Sequence, residues 1–204
     1  MGNFPFADFQ ADVLKEIGNI GAGHAATALS KMIDKQVDMR VPKARLLPFD
    51  EIALSLGGEE VVVTAIFLRV IGDAPGNMFF IFSQSSSKKL LRDMIGLEVA
   101  DEGYSELERS ALSEIGNILA GSYLSSLSDF IKLNMQPTVP SLAIDMAGAV
   151  LSYGMIEYGY MGDQALFIDT TFMEGREKVE GHFFFIPDPD SVERIFRALG
   201  VPTA

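Results

Sequence analysis

The 204-residue chain contains no cysteine, no tryptophan and only two histidines. Without cysteine it can form no disulfide, no thiolate nucleophile and no thiolate metal site. The histidines, His24 and His182, are too far apart in the chain for a ligand-like spacing. The chain also lacks the Gly-x-Ser-x-Gly sequence that carries a serine nucleophile. We therefore predict no metal site and no cysteine or serine hydrolase chemistry.

Basic residues are scarce: 16 Lys and Arg stand against 28 Asp and Glu, for a net charge of −12. A surface of this sign repels nucleic-acid phosphates and anionic membranes, so we expect neither as a partner. The longest apolar stretch, 61–71, contains Thr64 and Arg69 and is too short to span a bilayer. The N-terminus has no basic segment followed by a long apolar one, unlike a signal peptide. We expect a cytoplasmic protein.

One octet of the sequence occurs twice. Residues 12–19, Asp-Val-Leu-Lys-Glu-Ile-Gly-Asn, return 98 residues later as Ser-Ala-Leu-Ser-Glu-Ile-Gly-Asn at 110–117. The ends of the two halves also match, at an offset of 104, so the second half carries a net insertion of six residues. We place this insertion in the hairpin of the second half. An internal repeat of this kind decides the architecture.

The repeat predicts a single mixed α/β (α+β) domain over 1–204, built from two halves of order α-β-α-β-β-α. The halves, about 8–96 and 104–200, are expected to pack about a pseudo-twofold axis, with long helices carrying the octets. Apolar periodicity predicts for the first half a helix to residue 31, a strand at 36–47 and a hairpin at 60–71 and 78–83, with a last helix at 85–95. For the second half it predicts a helix at 105–129, a strand at 132–139, a short helix at 142–153, hairpin strands at 155–171 and 178–186, and a helix at 191–199.

The octets place polar residues on one face of each long helix. Helical positions i, i+4 and i+7 lie within about 60° of one another. Two polar stripes result: Asp12, Glu16 and Asn19 on the first helix, and Ser110, Glu114 and Asn117 on the second. Gly18 and Gly116 lie beside them in mid-helix, where glycine costs about 1 kcal/mol relative to alanine. A surface that approaches the helix backbone closely would explain them better than a merely solvated helix face.

A glutamate and an asparagine on one helix face are chemically suited to positioning a water molecule. Neither is a strong nucleophile, and one Glu per helix is a weak metal site and not the paired acids of a glycosidase. A side-chain amide, however, both donates and accepts hydrogen bonds, so it can hold a water for in-line attack on a phosphoryl group. A nearby carboxylate can bind a cation of the substrate protein. The segment Asp188-Pro-Asp190, before the last predicted helix, is interpreted as a helix entry with Asp capping and not as a metal pair.

The motif Asp/Ser-x-x-x-Glu-x-x-Asn, present twice in a pseudo-symmetric chain, resembles the CheC/CheX/FliY family of phosphatases in bacterial chemotaxis. The resemblance covers essentially the whole chain, and the two motif copies without an added flagellar-switch domain favour its CheC branch over a switch component. It implies dephosphorylation of phospho-CheY, the response regulator. Asn19 and Asn117 would orient the attacking water, and Glu16 and Glu114 would pair with the regulator's active-site lysine. The Mg²⁺ would belong to the regulator, so no cofactor of the chain's own is expected.

Two questions stay open at this point. The motif begins with Asp12 in one copy and Ser110 in the other, so both are candidate partner contacts and the sites can differ in activity. The alternative to an enzyme is a non-catalytic module that sequesters CheY or CheD.

The resemblance also implies CheD, a receptor-modifying deamidase, as a heterodimer partner. Residues 141–153 contain a single charge, Asp145, whereas the first-half counterpart 48–56 contains two. Either this segment is more deeply buried, or it is an exposed apolar strip that binds CheD through Asp145 and Ala149.

Overall fold

The computed structural model describes residues 8–99, 103–158, 164–174, 177–198 and 200. In the first half the elements are α1 (Asp8–Ile33), β1 (Asp38–Arg40), β2 (Ala44–Pro48), α2 (Phe49–Ser55), β3 (Val62–Gly72), β4 (Gly76–Ser83) and α3 (Gln84–Lys89), which continues as a π-helical turn over Leu90–Ile95. In the second half they are α4 (Glu106–Ile131), β5 (Met135–Pro137), β6 (Ser141–Met146), α5 (Ala147–Tyr158), β7 (Gln164–Glu174), β8 (Glu177–Pro187) and α6 (Pro189–Ala198).

The strands form one eight-stranded sheet with the order β1-β7-β8-β4-β3-β5. β2 also pairs with β7, and β6 also pairs with β3. All pairings are antiparallel, and β4 pairs with β8 at the centre, with Phe79 opposite Phe184 and Phe80 opposite Phe183. The mixed α/β fold in a single domain with long helices, as predicted from the sequence, is confirmed.

The two halves exchange strands. β1 and β2 of the first half pair with β7 of the second, and β5 and β6 of the second half pair with β3 of the first. Among the described strands, only the two hairpins, β3–β4 and β7–β8, pair strands within one half. Neither half therefore completes its own part of the sheet.

Helices cover both faces of the sheet, which explains the almost continuous apolar sequences of β4 and β8. Alternate residues of β4 point to opposite faces: Phe80 and Phe82 pack in the core beneath α1 and α4, while Phe79 and Ile81 pack in the core beneath α2 and α5. Apolar contacts along one side thus fix the long helices α1 and α4. The other side of each helix remains available for solvent-exposed residues.

The ends of the elements follow from local chemistry. The Ser105 side chain accepts a hydrogen bond from the Glu108 N–H, and the Glu108 carboxylate accepts one from the Ser105 N–H, a capping box that fixes the start of α4. Gly96 ends the π-helical turn with φ of 74°, a left-handed conformation that favours glycine. The first strand of each half is broken, as the sequence indicates at Pro42.

Three predictions about the second half are wrong. The segment 142–153 is not one short helix: Ser141–Met146 is strand β6, paired with β3, and the helix starts at Ala147. The helix runs to Tyr158, so the hairpin strand does not start at 155, and residues 159–163 lie outside the described part. The insertion is not confined to the hairpin, because α5 has 12 residues where α2 has 7, while β8 has 11 where β4 has 8.

Within the described residues, no helix is both long and apolar enough to cross a membrane.

Candidate functional site

The structure places the two predicted polar stripes on the outward sides of α1 and α4. Asp12 and Glu16 are exposed, and Asn19 is half-buried; Ser110, Glu114 and Asn117 are all exposed. The opposite side of each helix is anchored by buried residues, Leu14 and Ile17 on α1, and Leu112 and Ile115 on α4. Rigid helices thus present each Glu and Asn one turn apart, which suits a site that must hold a fixed geometry.

The glycines of the octets do not serve the purpose that the sequence suggested. Gly18 and Gly116 are buried and face the chain's own core. A Cβ at position 18 would lie 3.3 Å from the Val41 side chain, and one at position 116 would clash with Ile66 of β3. They therefore allow internal packing, and no outside surface approaches the helices at these two points.

The two asparagines differ in their hydrogen bonds. The Asn19 Oδ1 accepts a hydrogen bond from the Val41 N–H at 3.0 Å. The Asn19 Nδ2 donates to the Lys15 carbonyl at 3.0 Å and, more weakly, to the Val41 carbonyl at 3.5 Å. Asn19 therefore ties the connection between β1 and β2 to α1. Across the described part of the chain, by contrast, the Asn117 amide has no hydrogen-bond partner and is free to bind a ligand.

The connections beside the two sites explain this difference. A Val-Pro pair occurs at matched positions of the halves, at 41–42 and 139–140. Val41 is 2% exposed and covers Gly18, whereas Val139 is 87% exposed. The second connection is bound to the sheet instead: the Thr138 N–H donates to the Arg69 carbonyl at 2.8 Å, and the Arg69 N–H donates to the Thr138 Oγ1 at 3.1 Å. The first site is thus partly closed by the chain itself, and the second is open.

A partly buried cluster of three hydroxyls supports the start of α4. The Tyr104 hydroxyl lies 3.0 Å from Thr64 Oγ1 and 2.6 Å from Ser87 Oγ, which are themselves 3.0 Å apart. These residues come from β3, from α3 and from the segment just before α4, so the cluster joins three parts of the chain. Together with the capping box, it fixes the helix that carries the open site.

The two long helices contact each other closely. Gly21 of α1 lies against Tyr123 of α4, where a Cβ would come within 3.1 Å of the Tyr123 backbone. Burial raises the pKa of Tyr123 to about 12, against the opposing effect of its hydrogen bond with Thr170. The Tyr123 ring stacks on Phe183 of the central strand β8 with 5.0 Å between the centroids. Sites on α1 and α4 are therefore held in a fixed relation to each other.

The remaining candidate residues, Asp145, Ala149 and Asp188, lie away from the two polar stripes. Asp145 is exposed at the end of β6, and Ala149 is half-buried in the first turns of α5; both line an open groove with Phe67 and Val150. The Asp188 carboxylate forms a bidentate ion pair with Arg69, and the Asp188 backbone carbonyl accepts the N–H groups of Ser191 and Val192 at the start of α6. Among the described residues, no three His, Cys, Asp or Glu side chains come together as a metal site would require.

The role of Val41 is not predicted from the sequence. The signal was present, because the same Val-Pro pair follows both octets at the same distance. What could not be read from the sequence is that one copy packs on its helix and the other does not.

Comparison with known proteins adds three findings. A sequence model of the CheC-like family matches residues 9–44 and 107–144, one segment in each half. The chain is 44% identical, over 196 residues and 94% of both chains, to a Bacillus subtilis protein named CheY-P phosphatase CheC. It is 27% identical to the B. subtilis flagellar motor switch phosphatase FliY over 135 residues, which are 64% of this chain and 35% of that protein.

The fold also has a counterpart among solved structures. A crystal structure of FliY from Thermotoga maritima superposes with a TM-score of 0.74, over 96% of this chain and 98% of that chain. The sequence identity is 19%, so this likeness concerns the fold.

Proposed function

This chain belongs to the CheC-like family, and we propose that it is a phosphatase that hydrolyses the aspartyl phosphate of phosphorylated CheY. The observation that carries the proposal is the exposed Glu114–Asn117 pair on α4. Among the described residues, the Asn117 side-chain amide has no hydrogen-bond partner. The 44% identity to a protein named for this activity supports the same conclusion.

The proposed mechanism uses the amide of Asn117 to orient water. The Oδ1 accepts a hydrogen bond from the water, and the Nδ2 can donate one to the phosphoryl group, so that the water oxygen faces the phosphorus in line with the leaving group. The new bond from the water oxygen to phosphorus forms as the bond from phosphorus to the aspartate oxygen breaks. The phosphate keeps the water oxygen and both of its protons and leaves as dihydrogen phosphate, and the aspartate carboxylate is restored. The Mg²⁺ that stabilises the phosphoryl charge is held by the regulator as part of the substrate.

Glu114, one turn before Asn117, is proposed to bind the active-site lysine of the regulator. This ion pair forms inside the interface, where charge pairs contribute more than at an exposed surface. Asp12 and Ser110, a further turn back on each helix, are proposed as outer contacts to the regulator. The first site, Glu16 and Asn19, has the same residues but keeps its amide engaged with Val41. We place the reaction in the cytoplasm, with the regulator.

The test is phosphate release from phospho-CheY by wild type and by the double variant Asn19→Ala, Asn117→Ala. Loss of the water-orienting groups is expected to lower the rate about 10²–10³-fold while the fold is kept. The variant Asp129→Ala, at an exposed position of α4 beyond the stripe, serves as the control. A double variant with wild-type rate rejects the catalytic role of the amides. A wild type that binds phospho-CheY without releasing phosphate identifies a sequestering module instead.

We further propose CheD as a second partner, bound at the groove of Asp145 and Ala149. The exposed Asp145 carboxylate and the small, half-buried Ala149 offer one charge and one short side chain in the groove, beside the apolar residues Phe67 and Val150. Calorimetry with Asp145→Lys and Ala149→Glu is expected to show loss of CheD binding while phosphate release is unchanged. Normal binding by both folded variants moves the interface elsewhere.

A further inference from the structure

A second pair of helical glycines has no internal explanation. Gly23 and Gly121 lie four residues after Asn19 and Asn117, at matched positions in the middle of α1 and α4. Gly23 is exposed and Gly121 is half-exposed. A Cβ at either position would meet no described atom within 4 Å, unlike one at Gly18, Gly21 or Gly116. Neither glycine has the positive φ that would require it.

These glycines destabilise the protein without any packing benefit in return. Glycine in the middle of a helix costs about 1 kcal/mol relative to alanine, because it loses more backbone entropy on folding. Alanine fits both positions and would stabilise both helices. The same costly residue nevertheless occurs beside the proposed site in both halves, which points to an external requirement.

Both glycines lie on the same helix face as the proposed site. In a helix, residue i+7 lies only about 20° from residue i, so Gly23 and Gly121 lie almost directly above Glu16 and Glu114. One turn further on, the stripes end in small hydroxyl residues, Thr27 and Ser125, both exposed. The Thr27 hydroxyl donates to the Gly23 carbonyl at 2.9 Å and so lies along its own helix. Beyond each Asn, this face of the helix therefore carries only small side chains, which project little from the helix.

We propose that Gly23 and Gly121 are docking points at which the backbone of the phosphorylated regulator rests on the helix. This inference depends on the proposed function and adds positioning residues to it. The Asn side chain is short, so its amide reaches a phosphoryl group in a partner's pocket only if that partner comes close to the helix axis. A Cβ at the glycine would hold the partner off by about 1.5 Å, the length of one carbon–carbon bond. Misplacement of about 1 Å can lower a rate about 10²-fold.

The double variant Gly23→Ala, Gly121→Ala separates this role from a structural one, because stability and activity are expected to change in opposite directions. Its unfolding midpoint in urea should rise or stay unchanged. Its kcat/KM for phospho-CheY should fall about 10- to 100-fold, and its Kd for CheY carrying beryllium trifluoride as a phosphoryl analogue should rise about tenfold. Because the second site is the open one, the single variant Gly121→Ala should account for most of the loss.

The matched control is the double variant Lys31→Ala, Asp129→Ala, at exposed positions of the same two helices beyond the stripes. It should keep wild-type kcat/KM and Kd. Glycine variants that are stable and react within twofold of wild type overturn the docking role, and they leave the proposed function intact if the Asn variants are inactive. Glycine variants that lose stability together with activity also overturn it. Absence of phosphate release from the wild type rejects both proposals.

Discussion

The structure predicts opposite outcomes for the same substitution at two sequence-equivalent residues, Asn19→Ala and Asn117→Ala. Asn19 holds the buried Val41 connection through a 3.0 Å bond to its N–H and a longer one to its carbonyl. A buried hydrogen bond contributes about 0.5–1.5 kcal/mol, and an unsatisfied buried donor costs about 1–3 kcal/mol. Asn19→Ala is therefore expected to lower the free energy of unfolding by about 1–3 kcal/mol.

Asn117→Ala is expected to leave the stability unchanged or to raise it slightly. The side chain is exposed, and alanine is a better helix former than asparagine by several tenths of a kcal/mol. Its effect should instead be on catalysis, with phosphate release from phospho-CheY lowered about 10²-fold or more. Asn19→Ala should retain most of the activity, since the second site is open in the structure.

Urea unfolding gives the two stabilities, and phosphate release gives the two rates. Hydrogen exchange adds a local measure: the Val41 amide should be protected in wild type and exchange faster in Asn19→Ala, whereas the Val139 amide should be unaffected. Equal stability of the two variants would show that the Val41 contact is not held in solution. Loss of activity in Asn19→Ala with full activity in Asn117→Ala would mean that the closed site is the working one.

Three further predictions concern binding, packing and pH. Glu16→Gln and Glu114→Gln together should raise KM for phospho-CheY at least tenfold by removing the contact to its lysine; wild-type kinetics would reject that contact. Gly116→Ala should destabilise the fold by about 1–3 kcal/mol through overpacking against Ile66, measured by urea unfolding, and an unchanged midpoint would contradict this packing. Stability should fall between pH 10 and pH 12, because the unfolded chain loses the Tyr123 proton near 10 while the folded chain keeps it to about 12. Tyr123→Phe should remove up to about 2–3 kcal/mol of that decline, and an equally steep decline in this variant would assign it to other groups.

The sequence predicted the fold class and the positions of the two stripes because local signals carry them. The octets lie on long helices whose apolar residues recur at helical spacing, and the capping box at Ser105 marks the start of α4. The helix predicted over 142–153 was wrong because a short apolar run such as Leu-Ala-Ile fits a helix and a strand equally well. What decides for a strand is β3, whose edge β6 fills, and this pairing joins residues from different halves.

The difference between the two sites could not be predicted from the sequence, for a related reason. Asn19 and Asn117 have identical neighbours within the octet, and a Val-Pro pair follows each at the same distance. The bond between Thr138 and Arg69 in the second half draws that connection toward the sheet, while Val41 in the first half packs on Gly18. The role of a repeated residue thus depends on a contact made elsewhere in the chain.

The strand exchange between the halves has a consequence for how such a chain can arise. A half chain that ended before α4 would contain both the β1–β2 segment and a free β3 edge. Since β3 matches β7, that edge is the counterpart of the surface on which β1 and β2 lie in the full protein. Two identical half chains can therefore complete each other's sheets, with β4 of one beside β4 of the other. The present chain has the topology of such a homodimer joined end to end, and the join allows its two sites to change independently.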